Sequence, residues 1–224
     1  MKLKLYYLFL ICFSLSSLAQ SPDDYRTKMN SVFANISKTP ITTGYLSDYG
    51  FPFMPLENSN GTLNANNVTN SQIWQMTYAT WYSSYIASAD IPGVNPATVN
   101  TNVSNTLNEA TAIPITLLYA NYNSLKSNAV STRLLNVSNN QFNDVPGRTQ
   151  SPYDLRTLFV AAPAKDASKN NTVSFVFNSA LRWGNGGAIN SIAIDFGAGY
   201  QTASWGIPIS YTLPALAQSV SKSD

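Results

Sequence analysis

Carboxylates are the side chains in this sequence best suited to acid–base chemistry. The sequence contains no histidine, and its single cysteine falls in an N-terminal leader. Histidine triads, histidine-ligated zinc and thiol nucleophiles are therefore excluded. A glycosidase needs two carboxylates about 5–10 Å apart, and the sequence offers two pairs of candidates, Asp48 with Glu57 and Asp144 with Asp154. Because each of these can equally cap a turn or pair with an arginine, we assign no catalytic residue.

Oxygen-bearing side chains crowd one short segment, residues 139–144. Asn139, Asn140, Asn143 and Asp144 supply the amide and carboxylate oxygens that calcium prefers. Their spacing matches no recognised calcium loop, and asparagine is also a common turn residue. Calcium is accordingly the one cofactor that the sequence leaves open. No metal ligand is assigned, and Asp144 is kept as a binding candidate.

Two tryptophans, Trp183 and Trp205, lie beside glycine turns in the second half of the chain. An exposed aromatic ring next to a loop can stack on a sugar, whereas a buried tryptophan can anchor the core of a β-sandwich. We favour the core interpretation and keep both residues as binding candidates.

The N-terminal half of the sequence shows helical periodicity, and its helices are the first of the elements that must position any site. Residues 22–36 carry one apolar stripe after Ser21 and Pro22, a typical helix start. Asn95 and Pro96 open a third, weaker helix. The strongest pattern lies in residues 70–87, where five aromatic residues recur at helical spacing: Trp74, Tyr78, Trp81, Tyr82 and Tyr85. Such a stripe can form a ligand platform, but we favour packing in the core.

From residue 113 the apolar period changes to two, as Ile113, Ile115 and Leu117 illustrate. Later apolar runs are separated by turn-forming stretches, which favours an antiparallel β-sandwich-like region. The sequence therefore predicts an α+β fold in which N-terminal amphipathic helices precede that region. Its predicted parts are a leader at 1–20, a mainly helical region with an aromatic-rich loop at 21–112, a β-rich region at 113–213 and a polar tail at 214–224.

The first twenty residues have the three parts of a secretory signal peptide. Lys2 and Lys4 precede a short apolar run, and small residues precede the expected cleavage after Ala19 or Gln20. That run is too short to span a bilayer, so we expect no membrane span after cleavage and an exported protein in the periplasm, at the cell surface or secreted. Loss of the leader leaves eleven basic and eleven acidic side chains. The remaining chain therefore lacks the excess of positive charge that is typical of nucleic-acid-binding proteins.

One turn resembles a known family of extracellular modules. Residues 190–200 read Asn-Ser-Ile-Ala-Ile-Asp-Phe-Gly-Ala-Gly-Tyr, which is similar to the W-D-F-G-D-G turn of PKD-type immunoglobulin-like domains. The matching residues are Asp195, Phe196, Gly197 and Gly199, while Ile194 replaces the tryptophan and Ala198 replaces the second aspartate. The resemblance implies a spacer or binding module without catalysis, and it makes Asp195 a further binding candidate.

Residues 44–57 and 139–153 resemble the N-terminal region of large exported multidomain proteins of Bacteroidota type. The resemblance implies that this chain is the leading part of a larger cell-surface or secreted protein. We therefore expect an exported, non-catalytic structural or binding module whose partners are polysaccharides or other surface proteins. The alternatives are a carbohydrate-active protein that binds glycans without turnover and a two-carboxylate glycoside hydrolase.

Overall fold

A computed structural model of the protein describes residues 21–47, 54–88, 90–109, 112–168 and 170–212. The predicted leader, the part of the aromatic-rich loop from 48 to 53 that includes Asp48, and the predicted polar tail lie outside these residues. The described ranges contain three α-helices and one short 3-10 helix, Leu56–Asn58. The α-helices are α1, Pro22–Val32; α2, Ser71–Ser83; and α3, Pro96–Glu109. None of these helices is both long enough and apolar enough to cross a bilayer.

Local capping explains where the helices begin. At α1, the Ser21 side chain accepts the Asp24 N–H at 3.2 Å, and the Asp24 carboxylate accepts the Ser21 N–H at 3.0 Å. This reciprocal pair is a capping box. At α2, the Asn70 side chain accepts the Ile73 N–H at 2.8 Å, which satisfies an otherwise unpaired amide of the first turn. The three predicted helices are therefore confirmed, with α1 and α2 shorter than their apolar stripes.

Nine strands follow or interleave with the helices within the described ranges. They are β1, Leu46–Ser47; β2, Ile113–Leu125; β3, Leu135–Ser138; β4, Gln141–Asp144; β5, Tyr153–Pro163; β6, Thr172–Trp183; β7, Ile192–Asp195; β8, Tyr200–Ala203; and β9, Ile209–Thr212. Five of them form the main sheet, while β3–β4 and β7–β8 form separate two-stranded ribbons. The predicted α+β class is confirmed.

Strand β2 is the centre of the main sheet. Strand β5 pairs with it antiparallel along its length, for example Leu117 with Ala161, and β9 pairs antiparallel with β6. Strands β1 and β6, however, pair with β2 in parallel. The prediction of an antiparallel region is therefore corrected to a mixed sheet. Strands β5 and β6 pair with β2 in opposite senses, so β6 runs antiparallel to β5.

The aromatic stripe of α2 packs on one face of the main sheet. Trp74, Tyr78 and Trp81 are almost fully buried, and they contact alternate residues of the strands beneath them, including Leu118 and Leu181. The preferred interpretation of the stripe as core is confirmed. Since alternate residues of a strand point to opposite faces, Ile115 and Leu117 of β2 are left to line the other side of the sheet. In β6 the register shifts beyond Phe177, and Phe177 lies on that other side as well.

The β7–β8 ribbon covers part of that opposite face. At one end the Phe196 ring stacks on Tyr211 of β9, with ring centroids 4.6 Å apart. Beyond the other end, Trp205 forms an isolated bridge with Phe177 of β6, and the Gly206 N–H donates to the Phe177 carbonyl at 2.8 Å. Both attachments lie on the β6–β9 side. The ribbon therefore leaves the β5 side of this face uncovered.

Candidate functional site

An open apolar groove of about 410 Å³ lies between the main sheet and the β7–β8 ribbon. Its floor is formed by three buried side chains of β2 and β6, Ile115, Leu117 and Phe177. Ile192 and Ile194 of β7 pack on this cluster from the ribbon side. The groove has the size and apolar lining typical of small-molecule sites, which usually enclose about 300–1,000 Å³.

Three large apolar side chains at the rim of the groove remain in contact with solvent. Leu63 is 82% exposed, Tyr200 of β8 is 77% exposed and Phe159 of β5 is 40% exposed. Phe159 makes an edge contact with the Tyr119 ring, with centroids 6.1 Å apart. Apolar side chains gathered at one opening are a feature of binding sites rather than of ordinary surface, where they are scattered singly.

The groove forms because the apolar period of two in β2, β6 and β7 brings one set of side chains together. Leu117 and Ala161 are register partners on adjacent strands, and both line the groove. Ile192 and Ile194 alternate with the exposed residues Ala193 and Asp195 on the ribbon. The ribbon packs on the cluster formed by β2 and β6, and the groove also extends to Phe159 and Ala161 of β5.

Asp195 is the one charged residue among the fifteen described residues that line the groove. Its Oδ1 accepts the Gly197 N–H at 2.7 Å and the Gly199 N–H at 2.9 Å. These two bonds hold the turn that joins β7 to β8, where the φ angles of both glycines are positive. Asp195 therefore fixes the ribbon turn and places a negative charge beside the groove. Hydrolysis with two carboxylates would need a second acid facing it across the groove, and the described lining contains none.

Asp144 lies in a different part of the structure and has structural partners. Its carboxylate pairs with Arg148 and accepts the Ser37 N–H at 2.5 Å. The neighbouring Asn139 and Asn140 both adopt positive φ angles in the β3–β4 turn, a conformation that asparagine tolerates well. In the described ranges, acidic, histidine and cysteine side chains nowhere gather in threes that could hold a metal ion.

The other acidic candidates lie apart from the groove. Asp154 is within 3.7 Å of Lys126 and 3.5 Å of Arg156, and Glu57 belongs to the 3-10 helix. Neither lines the groove. Asp48 lies outside the described residues. The structure therefore places Asp154 between two cations and Glu57 in the first turn of a short helix.

The two tryptophan candidates differ in accessibility. Trp183 is buried in the core between α2 and the sheet, where its ring centroid lies 5.2 Å from that of Trp74. Its ring is therefore not available for stacking on a sugar. Trp205 is half-buried and packs against the cluster of Ile115, Leu117 and Phe177. It thus packs against the floor residues but is not among the described residues that line the groove.

The sequence predictions did not include the rim residues Leu63, Phe159 and Tyr200. The pattern that could have identified Phe159 is its place in an apolar run of β5 that alternates buried and exposed residues. Leu63 lies in an irregular segment rich in asparagine, and no periodicity connects it to β5. Comparison with family models, curated proteins and solved structures finds no match for this chain.

Proposed function

We propose that the protein is an exported, non-catalytic binding module and that the groove between the main sheet and the β7–β8 ribbon is its ligand site. The observation that carries this proposal is the groove itself, an opening of about 410 Å³ with a buried apolar floor and an exposed apolar rim. Water in contact with such a surface is released when an apolar ligand enters, which contributes about 25 cal/mol per Å² buried. The single carboxylate of the lining argues for binding without hydrolysis.

Export is part of the same proposal and rests on the sequence of the first twenty residues. We expect the protein expressed with its leader in a secreting bacterial host to be recovered outside the cytoplasm. N-terminal sequencing of that material should begin at Gln20 or Ser21. Recovery of the full-length chain from the cytoplasm, with Met1 or Lys2 first, would reject this part of the proposal.

The groove can be tested with N-phenylnaphthylamine, a neutral apolar dye that becomes fluorescent when it leaves water. We expect saturable binding to the wild-type protein, and Phe159→Ser is expected to weaken it about tenfold, which corresponds to roughly 1.4 kcal/mol. Leu63→Ser should weaken it in the same direction, because this side chain is largely solvated and its loss should not disturb the fold. Titration of dye fluorescence gives the dissociation constants.

The matched control is Val137→Ser, which removes another exposed apolar side chain, 53% exposed, from a strand that does not line the groove. Its dissociation constant should equal that of the wild type. Melting temperatures of all four proteins confirm that each is folded at the temperature of the titration. Equal weakening by all three substitutions, or absence of dye binding to the folded wild type, would show that the groove is not a binding site.

A second candidate function, glycan binding, is favoured by the two aromatic rings at the rim. Tyr200 and Phe159 are exposed enough to stack on a sugar ring. Retardation of the protein in native gels that contain soluble xylan or mixed-linkage glucan, abolished by Tyr200→Ala, would support this function over an apolar ligand.

The likeness of residues 190–200 to a PKD-type turn also remains a proposal. It is supported by the two hydrogen bonds that the Asp195 carboxylate accepts from backbone N–H groups in the β7–β8 turn. An immunoglobulin-like character of the β-rich region is proposed only on this likeness. A place for the chain at the head of a larger surface protein is proposed on the separate resemblance of residues 44–57 and 139–153. Polysaccharides and other surface proteins are the partners that this proposal entails.

A further inference from the structure

We propose that the ligand of the groove is a small amphiphile with an aliphatic body and a cationic polar end. This inference rests on the proposed function, because it assumes that the groove binds a ligand. Three observations carry it: the extent of the lining, the lack of hydrogen-bonding groups on the floor, and the single uncompensated charge at the edge.

The extent of the groove favours a small molecule over a protein partner. Fifteen residues line it, whereas a stable protein–protein interface engages about 20–30 residues on each side. The volume of about 410 Å³ falls near the lower end of the range found for small-molecule sites. A ligand of this size can be enclosed between the sheet and the ribbon while one end remains in solvent.

The chemistry of the floor favours an aliphatic body. Ile115, Leu117 and Phe177 from the sheet, with Ile192 and Ile194 from the ribbon, present only hydrocarbon to the interior of the groove. A hydroxyl group placed against these five side chains loses its hydrogen bonds to water and gains no partner from them, which is costly. The hydroxyl groups of the lining belong to Ser191 and Tyr200, both of which are exposed. An alkyl chain has no hydrogen bonds to water to lose, and the transfer of its apolar surface out of water lowers the free energy.

The charge beside the groove favours a cationic end. Both hydrogen bonds that Asp195 accepts from backbone N–H groups go to its Oδ1. No described residue hydrogen-bonds to its Oδ2 or forms a salt bridge with it. The lining therefore carries a net negative charge that no lysine or arginine neutralises. A ligand whose polar end is positive is attracted to this site, and one whose end is negative is repelled.

Three ligands that share an eight-carbon chain test this inference: octyltrimethylammonium, octyl glucoside and octanoate. Each is titrated below its micellar concentration against the dye-loaded full-length protein, and displacement gives its affinity. At low salt we expect the ammonium compound to bind about tenfold more tightly than octanoate, as attraction and repulsion at one exposed charge combine. The difference should shrink as salt screens the charge.

Asp195→Asn is the decisive variant, because the amide oxygen can still accept the Gly197 and Gly199 N–H groups while the charge is removed. It should lose the preference for the cation over octanoate. Its own dye titration is measured first, so that each displacement is referred to the dye affinity of this variant. Asp23→Asn, which neutralises an exposed carboxylate on α1, should retain the preference. Equal affinities of the three ligands in the wild type, or tighter binding of octanoate, would overturn the inference and leave the groove as a site. Failure of every ligand and of the dye would instead reject the proposed function.

Discussion

Replacing Trp74 with alanine is expected to lower the free energy of unfolding by about 3–5 kcal/mol, the range measured for large aromatic residues in protein cores. Trp74 is 1% exposed and lies between α2 and β6. Its ring centroid is 5.2 Å from that of Trp183 and 5.7 Å from that of Tyr78. Removal of the indole leaves a cavity between rigid rings that cannot move together to fill it, so the loss should lie near the upper end of the range.

Urea unfolding followed by far-ultraviolet circular dichroism measures this effect. Trp74→Phe should cost much less, since it keeps an aromatic ring and, within the described residues, the indole N–H has no protein acceptor to lose. Met76→Ala on the same helix is the matched control, because Met76 is 38% exposed, and its cost should stay below about 1 kcal/mol. Similar midpoints for Trp74→Ala and Met76→Ala would contradict the assignment of the aromatic stripe to the core.

The helices could be predicted because the information that defines them is local. The caps at Ser21 and Asn70 and the apolar spacing that follows them occupy a few neighbouring residues each. The start of β2 was equally plain, since its first residues alternate. Its continuation to Leu125 was not predicted, because the second half is polar. Asn123 lies in the strand since its N–H donates to the Tyr45 carbonyl at 2.8 Å and its side chain accepts the Thr43 hydroxyl at 2.8 Å.

Strand direction and the groove depend on partners that periodicity does not identify. A period of two reports that one face of a strand is buried, but it is the same for parallel and antiparallel neighbours. The groove forms where β7 packs on residues of β2 and β6, and β2 and β7 are far apart in the chain. The alternating residues of both were visible in the sequence, whereas their juxtaposition follows from the place of the ribbon on the sheet.

The accessibility of Trp183 could not be inferred from the glycines beside it. Such a stretch is typical of an exposed turn, yet here the glycines allow a close approach to β2. The φ angle of Gly184 is +104°, and a Cβ atom there would lie 2.1 Å from the Tyr119 carbonyl oxygen. The Gly186 N–H donates to the same oxygen at 2.9 Å. The turn is thus packed against the sheet, and the tryptophan before it points into the core.

Stability is expected to fall steeply above about pH 10, because three buried tyrosines resist ionisation in the folded protein. Burial raises the pKa of Tyr45 and of Tyr78 well above the ordinary value. It also raises the pKa of Tyr153 to about 12, with a further contribution from the nearby Asp144 carboxylate. In the unfolded chain these groups ionise near pH 10. Between pH 10 and 12 the unfolded state therefore binds fewer protons than the folded state, so the free energy of unfolding decreases as the pH rises.

The expected slope is up to about 1.4 kcal/mol per pH unit for each tyrosine, and below about pH 9 these groups should contribute almost no pH dependence. Urea midpoints measured at intervals from pH 8 to about 12 determine the slope. Tyr153→Phe should reduce it by about one third, whereas Tyr200→Phe, at an exposed position, should leave it unchanged. Because the groove lies on the opposite face of the sheet from Tyr78, dye binding should persist until the protein unfolds. If Tyr153→Phe and Tyr200→Phe reduced the wild-type slope equally, burial would not be what controls the ionisation of these tyrosines.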